Sequence, residues 1–232
     1  MSRIRKKELG IGIFLLVTFA VVMVMIFKPM PIHDGGNALN YLDNLYNSIS
    51  KGSANYIPKV EHLVEEHGSE VVTLNIKLDD SRTALAAEPL FVRAGATTAV
   101  EGATLMVNGD IETIFGTCLE DAESAYHNRG EDLTARYGTD ARTTLHSWWQ
   151  ALGAMEKDLN RQKLFDAAQL THTVQAKTVE CAYNYYGIES QAIKDRWGTV
   201  LFSLVFYVLY TIWYGYGIMF VFEGLGFELA AH

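Results

Sequence analysis

The chain has 232 residues with 27 acidic and 19 basic side chains, a net charge of −8, and 49% of its residues are hydrophobic. This length is enough for one ordinary core without support from metals or disulfides. The acidic balance argues against nucleic acid as a partner, because phosphate binding requires clustered lysine and arginine.

The chain begins with a basic leader and an uncharged run over 9–27. At 1.5 Å per residue this run reaches about 30 Å, the thickness of the hydrocarbon core of a bilayer. Arg3, Arg5, Lys6 and Lys7 precede it, and basic flanks stay cytoplasmic. No small-x-small cleavage site follows. We therefore predict a cytoplasmic segment over 1–8 and an uncleaved signal anchor over 9–27.

The next segments alternate between helix and strand signals. Breaks at Pro29, Pro31 and Gly35–Gly36 precede an amphipathic helix from Leu39 to Ile49 that ends near Lys51–Gly52. The other predicted elements are a helix over Pro58–His67, a strand over Val72–Leu78, a serine-capped helix over Ser81–Arg93, and a partner strand over Ala103–Val107 closed by Asn108–Gly109. The β content is thus predicted to be a two-stranded element.

The sequence becomes helical after Asp110. Asp110 is predicted to cap a helix over Ile111–Tyr126, and further helices follow from about Asp140 to Leu152 and from Leu164 to Tyr185. With no proline after Pro89, the run from Met155 to Phe222 is predicted to be nearly unbroken, with joints at Gly187 and Gly198. We predict a mainly α chain in which residues 28–198 form an extracytoplasmic helical bundle.

A second uncharged run over 199–222 is predicted to cross the membrane again, leaving a short tail over 223–232. Lys194 and Arg196 lie on its outer side, against the positive-inside rule, but the first helix usually dominates. Both termini are therefore placed in the cytoplasm. No Asn-x-Ser/Thr site occurs, so a bacterial inner membrane is the predicted location.

The second span carries tyrosines through its middle rather than only at its ends. Tyr207, Tyr210 and Tyr214 lie at depths where a hydroxyl group without a partner is costly, and Trp213 and Gly217 accompany them. The hydroxyl groups either snorkel or bond to backbone carbonyls, or the helix packs on other membrane helices. We predict the last, with another subunit or a second copy as the partner alongside the lipid bilayer.

Two cysteines, Cys118 and Cys181, fall in the predicted outer domain. Outside the cytoplasm they can form a disulfide, which would stabilise the fold by roughly 4 kcal/mol in the chain-entropy model. Each also falls on the apolar face of its helix, as a small buried side chain would. The sequence leaves both interpretations open.

No residue pattern indicates a reaction or a cofactor. His62 and His67 are five residues apart, whereas zinc-binding pairs on a helix are four apart. Four further histidines are scattered along the chain: His33, His127, His146 and His172. The carboxylates of one predicted helix are typical of a solvated face: Glu112, Glu120, Asp121 and Glu123. We predict no metal, no cofactor and no enzymatic activity.

The favoured function is a non-catalytic accessory or scaffolding subunit of a bacterial inner-membrane complex. It would dock through the aromatic second span and through an acidic outer domain whose net charge is roughly −10. The alternative is a periplasmic small-molecule-binding or sensory domain that acts through a separate transducer. A membrane-surface enzyme, with Trp148, Trp149 and Trp197 lining a pocket, is the third hypothesis.

Overall fold

A computed structural model of the protein describes residues 5–29 and 36–227 as two compact units. The hairpin unit comprises residues 5–29, 36–50 and 190–227, and the globular unit comprises residues 51–189. The predicted breaks at Pro31 and Gly35, together with His33 and the end of the tail, lie outside the described residues.

The chain is mainly helical and carries a small antiparallel sheet, as predicted. In chain order the helices are α1 Lys6–Phe27, α2 Ala38–Ser53, α3 Ile57–His67, α4 Ser81–Arg93, α5 Ile111–Tyr126, α6 Gly130–Tyr137, α7 Ala141–Arg161, α8 Phe165–Val174, α9 Glu180–Tyr185 and α10 Ile193–Gly224. The strands are β1 Val71–Lys77, β2 Thr97–Glu101 and β3 Thr104–Asp110. Helix α6 is an addition to the predicted elements.

Helices α1 and α10 pair antiparallel in the hairpin unit. The backbone N–H of Arg5 donates to the carbonyl of Gly224 at 2.9 Å, which places the start of α1 beside the end of α10. At 1.5 Å per residue the two helices reach about 33 and 48 Å. Both are long and apolar enough to cross a membrane. The predicted joint at Gly198 is wrong, because α10 continues through it.

The sheet has three strands in the order β1–β3–β2, one more than predicted. The pairing of β1 with β3 is confirmed, with Leu74 opposite Val107. The predicted end at Asn108–Gly109 is wrong: both residues pair with β1 inside the strand. A Cβ on Gly109 would lie 2.7 Å from the Cβ of Ala96, so this strand position accommodates only glycine.

Aspartates cap three helices of the globular unit, where their side chains accept from otherwise unpaired backbone N–H groups. Asp110 caps α5 as predicted, and Asp140 caps α7 by accepting from Arg142 and Thr143. The expected serine cap of α4 is corrected to Asp80, which accepts from Thr83 at 2.8 Å.

The predicted unbroken helix after Met155 is wrong. Helix α7 ends at Arg161, and Lys163 takes a φ of 65°, a left-handed conformation that ends the helical path without glycine or proline. Helix α8 then passes through a π-helical segment, Gln175–Val179, into α9. The expected break at Gly187 is present, with φ 86°.

One continuous core fills the globular unit. Inward-facing residues of β1 alternate with exposed ones and pack with the apolar faces of α4, α5 and α7. Trp148 is fully buried, and its ring lies 5.5 Å from that of Phe91. Trp148, which the sequence analysis suggested as a pocket residue, is therefore a core residue. Trp197, by contrast, lies on α10 and is exposed.

Candidate functional site

The five residues predicted to mediate packing fall within about 120° of the circumference of α10, but they differ in what they contact. Phe19 of α1 contacts three of them, with ring centroids 6.2 Å from Tyr210, 6.3 Å from Trp213 and 5.2 Å from Tyr214. Gly217 is buried against Leu16 of α1. Trp213 and Gly217 thus pack within the chain, whereas Tyr207 turns away and is 57% exposed.

Glycines bring the two apolar helices into close contact. A Cβ on Gly12 would lie 2.6 Å from the backbone nitrogen of Val221, and one on Gly224 would lie 2.5 Å from the nitrogen of Leu9. A Cβ on Gly10 or Gly215, in the same helices, would meet no atom of another element within 4 Å. Small residues at such contacts are typical of packed membrane helices, because they let backbones approach.

The polar side chains of α10 differ in whether they have a hydrogen-bond partner. The hydroxyl of Thr211 donates to the carbonyl of Tyr207 in its own helix at 2.7 Å. Among residues 5–29 and 36–227, in contrast, the indole N–H of Trp213 is buried without a hydrogen-bond partner. The same residues offer no hydrogen-bond partner to the hydroxyl groups of Tyr207, Tyr210 and Tyr214. Within hydrocarbon, such unpaired groups are costly.

A groove of about 800 Å³ lies between α1, α2 and α10 in the hairpin unit. Tyr207 and Tyr210 form part of its wall, with their rings 5.4 Å apart and nearly perpendicular. Its other lining residues are apolar apart from Tyr46 and Ser203, whose hydroxyl oxygens lie 2.6 Å apart. The groove, together with Tyr207, Tyr210 and Tyr214, is called here the tyrosine face.

Every buried side-chain nitrogen and oxygen of the globular unit has a hydrogen-bond partner, in contrast to the Trp213 N–H of α10. Asp121 is completely buried and accepts from Arg136 at 2.8 Å, Tyr137 at 2.5 Å and Trp148 at 2.9 Å. Burial, with the hydrogen bond to Asp121, raises the pKa of Tyr137. Asp121, predicted to be on a solvated face, is therefore a core residue that ties α5 to α6 and α7.

Lys51 is a second buried and satisfied charge. Its ammonium donates to the carbonyls of Tyr185 and Ile188 and to the side chain of Asn128. It also lies 5.1 Å from the ring centre of Tyr126, whose hydroxyl donates to the Lys51 carbonyl. Desolvation lowers the pKa of Lys51 and raises that of Tyr126 to about 12. The arrangement holds a loop in place and offers no reactive group to solvent.

Both cysteines are free thiols in the structure. Cys118 is fully buried in α5, and this burial raises its pKa well above the ordinary value. The thiol of Cys181 donates to the carbonyl of Ala54 at 3.1 Å, and burial raises its pKa as well. Cys118 thus fits a small buried side chain, whereas Cys181 is only half-buried, and their pairing stays a prediction.

The most distinctive surface feature of the globular unit is a cleft between α4, α7 and α9. Two adjoining cavities of about 400 and 330 Å³ both include His146 and Tyr183 in their walls. The imidazole of His146 stacks on the indole of Trp149 at 6.1 Å, and Trp149 Nε1–H donates to Glu180 at 2.8 Å. Arg82 and Arg142 line the second cavity. We call this feature the aromatic cleft.

Sequence reasoning identified Trp149 as a candidate pocket residue but missed the rest of the cleft. Arg142, His146 and Trp149 lie at positions i, i+4 and i+7 of α7, so they share one edge of the helix. This spacing could have been recognised in the sequence. Arg82 comes from α4, far earlier in the chain, and joins the cleft only through tertiary packing.

Metal-ligating side chains are dispersed over the described residues. Within 5–29 and 36–227, no group of three or more histidine, cysteine, aspartate or glutamate side chains is arranged to hold an ion. His62 is exposed beside Glu65 and Glu66, while His67 lies next to Glu70.

Taken together, fold and sites define a mainly helical protein with two helices long and apolar enough to cross a membrane, joined to a globular unit with its own core. Compared with protein-family models, curated proteins and solved structures, the chain shows no match to any of the three.

Proposed function

We propose that the protein is a non-catalytic accessory or scaffolding subunit of a bacterial inner-membrane complex. In this proposal α1 and α10 cross the membrane, both chain ends face the cytoplasm, and the globular unit faces the periplasm. The basic residues that precede the uncharged run of α1 support the orientation by the positive-inside rule. The contact between Arg5 and Gly224 supports placing both ends on the same side, because it brings the start of α1 to the end of α10.

The observation that carries the proposal is the set of unsatisfied hydroxyl groups on the tyrosine face. Tyr207, Tyr210 and Tyr214 have no hydrogen-bond partner within the described parts of the chain, although α1 already packs against α10. Lipid tails cannot supply a hydrogen bond, so a hydroxyl group at this depth gains free energy only from protein, water or headgroups. A neighbouring membrane helix supplies carbonyl or side-chain acceptors at the required depth.

The groove adds a shape argument for a helical partner. Its lining contains no charged residue, and Tyr207 and Tyr210 stand at its wall. An apolar segment of another subunit, or of a second copy, would bury this lining while its polar groups meet the tyrosine hydroxyls. The acidic globular unit would provide a second contact surface, attracting basic regions of the same complex.

The test replaces Tyr207, Tyr210 and Tyr214 by phenylalanine in one chain. This change keeps the rings and removes only the hydroxyl groups. We expect the complex seen on blue-native gels after mild detergent extraction to dissociate at least partly. Interhelical hydrogen bonds in membranes are worth about 0.6 kcal/mol each, so three of them change an association constant by roughly twentyfold.

The matched control is Tyr216→Phe. Tyr216 is also exposed on α10, at 52%, but nine residues after Tyr207 it lies on the opposite side of the helix. It is expected to leave the complex intact. A wild-type chain that migrates alone, or a triple variant that assembles like the wild type, would contradict the proposed role.

A further inference from the structure

We propose that the aromatic cleft of the globular unit is a binding site for a small zwitterion, a molecule with an ammonium group and a carboxylate such as an amino acid or a betaine. This goes beyond the proposed subunit role, which rests on the hairpin unit. It would supply the small-molecule recognition that the sequence offers as its alternative function.

The cleft is preorganised by contacts among its own walls. Trp149 is held by its stack on His146, by its hydrogen bond to Glu180, and by Gln175, whose side-chain amide donates to the Trp149 carbonyl at 2.7 Å. Gln175 starts the π-helical segment that precedes Glu180. A π turn inserts one residue and so rotates the following helix by about 100°, and such turns are frequent at functional sites.

One half of the cleft suits a cation. Its cavity of about 400 Å³ is lined by Trp149, Tyr183, Glu180 and Asn184, among other residues. Aromatic faces attract ammonium groups through their quadrupoles, and a carboxylate among them adds a full opposite charge. Trp149 is 40% exposed and lines this cavity.

The other half suits an anion. Its cavity of about 330 Å³ is lined by Arg82 from α4 and Arg142 from α7. Within residues 5–29 and 36–227, neither guanidinium lies at ion-pair distance from a carboxylate. Arg142 instead lies 5.3 Å from the ring centre of Tyr183 and donates to the Tyr186 carbonyl. Guanidinium groups bind carboxylates through paired N–H donors.

The two halves meet at His146 and Tyr183, which line both cavities. A ligand across this boundary would place its ammonium group near Glu180 and its carboxylate near the arginines. The two cavities fall within the size range of sites for small molecules. A purely cationic ligand would leave Arg82 and Arg142 unpaired, and a purely anionic one would be repelled by Glu180.

The test is calorimetric titration of the full chain in detergent with glycine betaine and with each of the twenty common L-amino acids. We expect saturable binding of at least one of these zwitterions. Choline and acetate, which carry only one of the two charges, are expected to bind at least about tenfold more weakly, since each loses the interactions of one half. No binding of any zwitterion tested, or binding of choline or acetate as tight as that of the best zwitterion, would overturn the proposal.

Two variants locate the site. Arg82→Gln and Glu180→Gln should each weaken binding about tenfold. The side-chain amide introduced by Glu180→Gln can still accept from Trp149, and Arg82 is exposed, so both chains should fold. Arg129→Gln and Glu131→Gln, which change exposed charges outside the cleft, serve as controls. Unchanged affinity in both cleft variants would overturn the proposal. The proposal would also be overturned if a photo-crosslinking residue in place of Thr143 captured a protein and no zwitterion prevented that capture.

Discussion

The two units of the protein treat polar side chains in opposite ways. In the globular unit, the buried charges Asp121 and Lys51 each have three hydrogen-bond partners. On α10, the Trp213 N–H and three tyrosine hydroxyl groups have none among the described residues. A domain that satisfies its own polar groups is complete as a folding unit. If α10 crosses a membrane, as we propose, its unpaired polar groups fit a surface that another molecule completes.

The difference extends to how each unit holds its helices together. The globular unit is built on one large apolar core with the rings of Phe91 and Trp148 at its centre. The hairpin unit relies on close backbone approach at Gly12, Gly217 and Gly224. Hydrophobic burial drives association in water, whereas in lipid the close packing of small residues takes its place. Substitutions in the two units should therefore destabilise the protein for different reasons.

The largest expected effect is that of Asp121→Ala. It leaves Arg136, Tyr137 and Trp148 without their shared acceptor, and removing one partner of a buried ion pair costs about 3–5 kcal/mol. Urea unfolding followed by tryptophan fluorescence measures the loss.

Glu120→Ala is the matched control, because Glu120 contacts the same Arg136 but is exposed. An exposed ion pair contributes at most about 1 kcal/mol. Equal losses of unfolding free energy in the two variants would show that the buried network of Asp121 contributes no more than a surface ion pair.

The next largest effect is expected in the hairpin. Gly12→Ala introduces a Cβ 2.6 Å from a backbone atom of α10, which cannot rotate away as a side chain would. Overpacking of this kind costs about 1–3 kcal/mol, and α1 and α10 must move apart. Spin labels at Ile13 and Tyr216, in a chain without Cys118 and Cys181, would report the separation as a broader and longer distance distribution.

Gly10→Ala controls for helix propensity, since Gly10 has open space around it. Alanine there favours the helix by up to about 1 kcal/mol. If both alanine variants give the wild-type distance distribution, close glycine packing does not hold the pair together.

The smallest effect concerns the cap of α7. Hydrogen bonds from the Thr143 side chain and backbone lower the pKa of Asp140 from its usual 3.8. A lowered folded-state pKa means that the ionised group contributes stability above about pH 3.8, which is lost as the pH falls through the folded pKa. Asp140→Ala should lose about 1 kcal/mol at neutral pH.

Asp140→Asn separates the cap from its charge. Asparagine still accepts hydrogen bonds from the N–H groups of Arg142 and Thr143, so most of the stability at neutral pH should remain. Its stability should also fall less than that of the wild type as the pH drops below about 3.8. If this variant lost stability at acidic pH as the wild type does, Asp140 would not contribute to the pH dependence.

Local signals predicted the elements that begin with a cap and carry a clear period. Helix α5 after Asp110 and strand β1 are examples. Strand β2 was missed because Thr97–Glu101 is short and has no fully buried residue. The end of α7 was missed because Lys163 takes its left-handed conformation without glycine. The burial of Asp121 was missed because its three donors come from two other helices.

The sequence also identified the tyrosines of α10 as unusual, but not which of them would face α1. Assigning sides requires the register of the hairpin, which the contacts of Gly12 and Gly217 set through backbone fit. Hydropathy does not report such fit, because most residues of both helices are apolar.

The most direct test of the tyrosine face is site-specific photo-crosslinking in native membranes. A benzoylphenylalanine at Leu204, which lines the groove, leaves all three tyrosines in place. The same probe at Leu209, exposed but outside the groove lining, is the control. We predict a discrete protein adduct from position 204 and little or none from position 209. Adducts with lipid alone at both positions would contradict a partner helix on the tyrosine face.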